Sequence, residues 1–170
     1  MKLLETIQFK ELPPKELEKF EKRVAARAIV FDADKNVALL YVTKHNRHKL
    51  PGGGVEVGET IDEALIRECL EEIGCQVEQF AEVGEIVEHR DKWSLRNDSF
   101  CFLANVVGAK GEPNFTPEEL ERGYVIKWAS FEEAIKLLEL DDPEDYEGKF
   151  IKIRDTLFLK EAYEIVTQHR

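Results

Sequence analysis

Two apolar runs, Ala26-Arg-Ala-Ile-Val-Phe31 and Val37-Ala-Leu-Leu-Tyr-Val42, flank the polar segment Asp32-Ala-Asp-Lys-Asn36. Asp and Asn side chains bond to nearby backbone and so favour turns, and the pattern predicts a hairpin. Ala81–Glu88 and Phe100–Val107 read as further strands, and Val125–Trp128 as a shorter one. Between them the period changes. Helix-forming residues fill Ile61–Ile73, with Ile61, Leu65, Cys69 and Ile73 on one apolar stripe. Thr60 followed by Glu63 fits a capping box, and Gly74 stands where a C-terminal cap belongs. A second helix is predicted over Phe131–Leu140. After the acidic break Asp141–Asp145, Phe150, Ile153, Leu157, Phe158, Ala162 and Ile165 recur at helical spacing, predicting a C-terminal helix over 148–168. Upstream, residues 1–23 are polar, broken by Pro13-Pro14, with a short helix over 15–23, and read as a peripheral lead-in.

The order of elements predicts an α/β class in which helices cover a mixed or antiparallel sheet. At 170 residues and 43% apolar content, one domain spanning 1–170 is expected. The formal charge of −11, from 35 acidic against 24 basic residues, repels extended nucleic acid. A small phosphate compound is compatible with it, because bound cations and local basic residues invert the field inside one pocket. The N-terminus has no signal-peptide core and no run reaches the roughly 20 apolar residues that span a bilayer, which predicts no membrane partner. Cys69, Cys75 and Cys101 are odd in number and lack a CxxC spacing, predicting buried reduced thiols and a cytoplasmic location. A homodimer is left open.

The candidate chemistry is concentrated between residues 50 and 75. Leu50-Pro-Gly-Gly-Gly54 is a tight loop in which consecutive glycines admit backbone geometries closed to other residues. On the helix that follows, Glu68, Glu71 and Glu72 lie at i, i+3 and i+4 and share one side. Like charges at this spacing repel, and Arg67 offsets that only in part. Clustered hard oxygen ligands suit Mg²⁺, with Mn²⁺ as the alternative. Helix geometry alone favours a solvated acidic face. The order Gly53, Glu59, Arg67-Glu68, Glu71-Glu72, Gly74 decides against it, because it resembles the Nudix box at every charged and glycine position. Cys69 and Cys75 replace the usual aliphatic residues, which changes little, since a buried thiol packs as a small hydrophobe.

The resemblance implies a Nudix-type α/β/α sandwich with a mixed, partly antiparallel sheet, and a hydrolase that cleaves a phosphate anhydride in a nucleotide-like small molecule. It implies Glu68, Glu71 and Glu72 as metal ligands, joined by the Gly52 carbonyl. Glu59 would brace the loop and Arg67 would orient the glutamates. Glu68 also takes the position that commonly orients or deprotonates the attacking water, although some members recruit a loop carboxylate, for which Glu118, Glu119 and Glu121 are candidates. Arg27, Arg47 and Lys49, with Gly53 and Gly54, are candidate substrate contacts; the alternatives are an edge-strand ion pair for Arg27 and an exposed basic loop for Lys44–Lys49. Trp93, Phe100, Phe102 and Tyr124 offer rings on which a base stacks, or belong to the core. A catalytically silent nucleotide-binding or regulatory module on the same fold is the alternative function. An isoprenoid diphosphate isomerase on that fold lacks a distinct signature here.

Overall fold

The computed structural model describes residues 1–168. Its strands form one mixed sheet in the order β1 (Leu3–Gln8), β5 (Gln76–Arg90), β6 (Leu95–Val107), β2 (Glu21–Phe31), β3 (Val37–Val42) and β4 (Arg47–Lys49), with β7 (Tyr124–Ala129) paired to β3. The helices are α1 (Pro14–Leu17), α2 (Ile61–Ile73), α3 (Pro117–Arg122), α4 (Phe131–Leu140) and α5 (Tyr146–Gln168). Strand alternation assigns the layers. Along β2, Ile29 and Phe31 are buried with residues of α4 and α5, while Ala26, Ala28 and Val30 are buried with residues of α2. The sheet therefore lies between α2 and the α4–α5 pair, the α/β/α sandwich expected.

The predicted α2 forms over Ile61–Ile73, with both halves of the Thr60–Glu63 capping box and Gly74 at a φ of 64° as its cap. The predicted hairpin is looser than expected. β2 and β3 pair only at Phe31↔Val37. The main partner of β2 is β6, parallel to it from Glu21↔Leu95 to Phe31↔Asn105. This leaves the other edge of β2 free for residues 51–55, which run along it. Ala26 N–H donates to the Gly53 carbonyl at 2.9 Å, Ala28 N–H to the Pro51 carbonyl at 3.0 Å, and Val55 N–H to the Val24 carbonyl at 2.9 Å.

Three further departures have physical causes. Residues 1–23 are more than a lead-in, because Leu3–Gln8 extends the sheet parallel to β5 and buries Ile7; the helix there is only Pro14–Leu17. Both β2 and β6 start earlier than their apolar runs, and in β6 the polar Asn97 and Ser99 are wholly buried, bonded to each other and, through Asn97, to Glu88. Finally, Arg47-His-Lys49 is a buried strand rather than an exposed basic loop. Its polar side chains are paired: His48 with Asp141 at 3.0 Å, Arg47 with Asp145 at 2.8 Å.

Candidate functional site

The glycine loop and α2 face each other at one end of the sheet. Gly52 has a φ of 128°, and a side chain there would overlap the Ala26 carbonyl, so only glycine lets the loop lie flat on β2. A methyl at Gly53 would overlap the Glu68 carboxylate, which places that carboxylate directly against the loop. Arg67 fastens the two elements. Its Nε and Nη2 donate to the two Glu59 oxygens at 2.8 and 2.9 Å, Nη2 also to the Gly54 carbonyl at 2.9 Å, and Nη1 to Glu68 at 2.8 Å. The planar fork suits this use, since one rigid group reaches both carboxylates and the loop. The Arg67 hydrogen bonds, with one from the Glu56 N–H, hold the Glu59 carboxyl down at about 2.

The three glutamates share a helix side but do not converge as a set. Glu72 is 2% exposed in its side chain, Glu68 13% and Glu71 39%. Glu72 turns inward, accepting from Lys49 Nζ at 2.5 Å and from the Gly52 N–H at 2.7 Å. Glu71 points outward, with Arg67 at 3.4 Å. The positive charge that the acidic face calls for is thus partly supplied by Arg67 and Lys49. Burial alone would lower the Lys49 ammonium, but the adjoining Glu72 carboxylate raises it above its ordinary value.

No three Asp, Glu, His or Cys side chains among the described residues stand together as a ready-made metal cage. The donors present still fit a hard divalent ion in kind. They are carboxylate and carbonyl oxygens, and the Lys49 ammonium, 2.5 Å from Glu72 and 3.4 Å from the Gly52 carbonyl, marks a place that draws a cation.

Beside this helix opens a polar cavity of about 240 Å³, lined by the glycine loop, Glu68 and Glu72 and by seven basic side chains. In a chain of net charge −11, that is a local reversal of sign. Arg23 and Arg27 reach it from one face of β2, the side toward α5. Arg27 is not an edge-strand ion pair: β2 is internal, and the 5%-exposed Arg27 has no hydrogen-bond or ion-pair partner among the described residues, with Nε and Nη1 buried and unmet. Burial, with the like charge of Arg154 nearby, pulls its guanidinium down to about 10. Arg154 of α5 also lines the cavity, with Asp155 behind it. Asp155 accepts from Arg154 Nε at 2.7 Å and from the Leu50 N–H at 2.8 Å, so α5 fixes the entrance to the glycine loop.

Of the other sequence candidates, Arg47 and Lys49 line the cavity, while Lys44 pairs outside it with Glu121 at 2.9 Å. Glu118 and Glu119 lie at its rim on α3. Glu119 closes a capping box with Thr116, and Glu118 pairs with Arg122. Tyr124 is the one aromatic of the four that faces the cavity, its ring 5.2 Å from Lys49 Nζ. Phe100 and Phe102 line a different depression, and Trp93 packs on Arg90 and Tyr146. Sequence reasoning missed Arg23, Arg90, Arg122, Glu147 and Arg154. Arg23 shares a face of β2 with Arg27, four residues on, but lies ahead of the apolar run that marked the strand. The others come from scattered elements and carry no local signal.

A family model described as the NUDIX domain matches residues 21–149. The chain is similar to an RNA pyrophosphohydrolase of Wolbachia pipientis subsp. Culex pipiens (strain wPip), 25% identical over 130 residues that cover 71% of this chain and 70% of the relative. Its fold is similar to that of a NUDIX hydrolase from Nitrosomonas europaea, with a TM-score of 0.64 at 18% identity over 85% of this chain and 90% of the other. The C. elegans Ap4A hydrolase gives a TM-score of 0.59 at 17% identity, covering 86% and 99%.

Proposed function

The chain belongs to the NUDIX domain family, and from that premise we infer a divalent-metal-dependent pyrophosphohydrolase that acts on a nucleotide-like small molecule. The observation that carries this reading is the pairing of Glu68, pressed against the glycine loop, with the unpartnered Arg27 in the same cavity. A buried guanidinium whose Nε and Nη1 meet no acceptor costs stability, and a phosphate oxygen is the partner its fork geometry suits. The names of its similar proteins, an RNA pyrophosphohydrolase and an Ap4A hydrolase, support cleavage of a phosphate anhydride.

In this reading Glu68 and Glu72, with the Gly52 carbonyl, would hold Mg²⁺ or Mn²⁺ at the cavity, and Glu71, directed outward without the ion, would complete the set. The ion, once bound, lowers the pKa of water and neutralises charge on the diphosphate. The protein's own part is positional. Arg67 and Glu59 hold Glu68 and the loop in fixed relation, so that Glu68 accepts a proton from an attacking water without moving. Glu118 and Glu119, at the cavity rim, are the alternative bases; Glu121, paired with Lys44, lies outside the cavity. Arg27 binds a phosphate from the floor, Arg47 and Lys49 add charge at its sides, and Gly53 and Gly54 let the substrate approach the backbone. Lys49, which neutralises Glu72 at 2.5 Å, would share that carboxylate with a bound ion. No covalent intermediate is needed, and Cys69, wholly buried in α2, takes no part. The three free, buried cysteines support a cytoplasmic location, and no helix among the described residues is long and apolar enough to cross a membrane.

The test is a panel of nucleoside triphosphates, dinucleoside polyphosphates, nucleotide sugars and ADP-ribose with Mg²⁺, with every phosphorus-containing product identified. Turnover that vanishes on chelation and returns with Mg²⁺ or Mn²⁺ is expected. Turnover that survives exhaustive chelation refutes the metal mechanism, and tight nucleotide binding without product returns the chain to the silent module.

A further inference from the structure

On the side of the cavity away from α2, three guanidinium groups surround one carboxylate. Glu147, in the first turn of α5, lies 3.5 Å from Arg47 Nη2, 3.4 Å from Arg90 Nη1 and 3.5 Å from Arg122 Nη1. The arginines come from β4, β5 and α3, so the cluster is a product of the tertiary fold. Every one of these contacts is long for a charge-assisted bond, which is ordinarily about 2.7–2.9 Å. Each arginine is held from another side by a closer carboxylate, Arg47 by Asp145 at 2.8 Å, Arg90 by Glu88 at 3.2 Å and Arg122 by Glu118 at 2.5 Å, which leaves the arm toward Glu147 the weakly engaged one. Arg47 and Arg90 are 2% and 3% exposed in their side chains, and the Nε of each is buried without an acceptor. Arg23, lining the same cavity, makes no ion pair among the described residues. Burial alone would raise the Glu147 carboxyl, yet Arg90, Arg47 and Arg122 hold it below its ordinary value.

Two carboxylate oxygens in one plane are a poor match for forks arriving from three elements. A phosphate group offers three free oxygens in a tetrahedral spread, and arginine is suited to it. The aromatic content argues the same way. Tyr124 is the only aromatic residue lining the cavity among the described residues, so recognition there rests on charge more than on stacking.

We propose that Arg47, Arg90 and Arg122, helped by Arg23, form a second anion subsite in which the Glu147 carboxylate is a built-in, displaceable occupant, and that the substrate carries a phosphate group beyond the scissile diphosphate. The second clause rests on the pyrophosphohydrolase reading; the subsite does not. The extra phosphate is either the next member of a phosphate chain or a separate monoester on the same molecule, and both present the same oxygens.

Calorimetry on the chelated protein tests this without turnover, using inorganic orthophosphate, pyrophosphate and tripolyphosphate as probes. Removing the charge of Glu147 by Glu147→Gln empties the subsite of its resident anion and is expected to tighten tripolyphosphate binding about tenfold. Arg122→Gln, on a short and partly exposed helix where folding is least at risk, should weaken it about tenfold while changing pyrophosphate binding much less. Tripolyphosphate that excludes orthophosphate points to a phosphate chain. Orthophosphate that binds alongside pyrophosphate points to a separate monoester. If Arg122→Gln leaves tripolyphosphate affinity unchanged, or Glu147→Gln in a folded variant leaves it unchanged or weakens it, the subsite is refuted. A protein that passes this test but hydrolyses nothing retains the subsite and loses the hydrolase; one that hydrolyses diphosphates with neither variant shifting affinity does the reverse.

Discussion

The Lys49 ammonium and the Glu72 carboxylate meet at 2.5 Å with both side chains almost wholly shielded from water. Neither charge is tolerable there alone. Removing one partner of a buried pair leaves the other uncompensated, a loss of about 3–5 kcal/mol. Glu72→Gln should therefore destabilise the metal-free protein by about 3 kcal/mol in urea unfolding. Glu71→Gln, at a half-exposed position, should shift it by no more than about 0.5 kcal/mol. Equal effects at the two positions would mean that the burial difference between them does not hold in solution.

The metal dependence of stability separates these two glutamates from ordinary ion pairs. Mg²⁺ at a hundredfold excess over its Kd should stabilise the wild type by about 2.7 kcal/mol. Glu71→Gln should lose much of that gain despite its near-normal metal-free stability. A thermal melt with and without the ion reads both quantities, and an undiminished gain in this variant would remove Glu71 from the ion's ligands.

Arg67→Lys keeps the charge and discards the fork. Partners that orient ligands commonly cost 10–100-fold in activity when replaced, and a loss in that range is expected in kcat. The pH dependence has a definite sign. Glu59 is held at about 2 against an ordinary 4.5, so its brace contributes fully above pH 4.5 and is lost as pH falls toward 2. Acid titration of Glu59 followed by carboxyl NMR should show the depressed midpoint in wild type and a return toward 4.5 in Arg67→Lys.

Arg27→Met should stabilise the free protein while harming its use. Loss of a buried, unpartnered guanidinium relieves about 1–3 kcal/mol of unmet hydrogen-bonding cost, and the methionine fills similar space. KM should rise about tenfold. Urea unfolding and steady-state kinetics on one sample decide the matter, and a destabilised variant with an unchanged KM would assign Arg27 to the core.

Cys69→Val should keep most of its activity. The thiol is wholly buried, and burial pushes it well above its ordinary value, so it is not a nucleophile. Loss of turnover in a well-folded variant would reverse that assignment.

Where local rules govern the backbone, the sequence was readable. Thr60, Glu63 and Gly74 mark the ends of α2 because capping is decided within a few residues, and the spacing from Gly53 to Cys75 located the loop and helix that face each other. What stayed hidden is tertiary. Asn97 and Ser99 disguised the start of β6 because each finds its partner inside the fold. Lys49 read as a loop residue because nothing near it in sequence announces that Glu72 neutralises it. The i, i+3, i+4 spacing of Glu68, Glu71 and Glu72 puts them on one side of α2 but does not say which of them the rest of the fold covers, and Glu72 is buried while Glu71 is left half in water. The arginines gathered at Glu147 come from three elements, a relation that only the folded chain creates.

The parallel ladder between β2 and β6 also sets an order of assembly. Helix α2, capped by its own neighbours, depends on local contacts that form early, but the strand against which the glycine loop lies gains its partner only when residues 95–105 have been made. Even then the loop entrance lacks Asp155, which arrives with the final helix to accept the Leu50 N–H. A chain emerging from the ribosome thus carries its acidic helix long before it has a pocket. The cost of closing such distant contacts grows only slowly with their separation, so the delay falls on the rate of folding far more than on the stability of the finished protein.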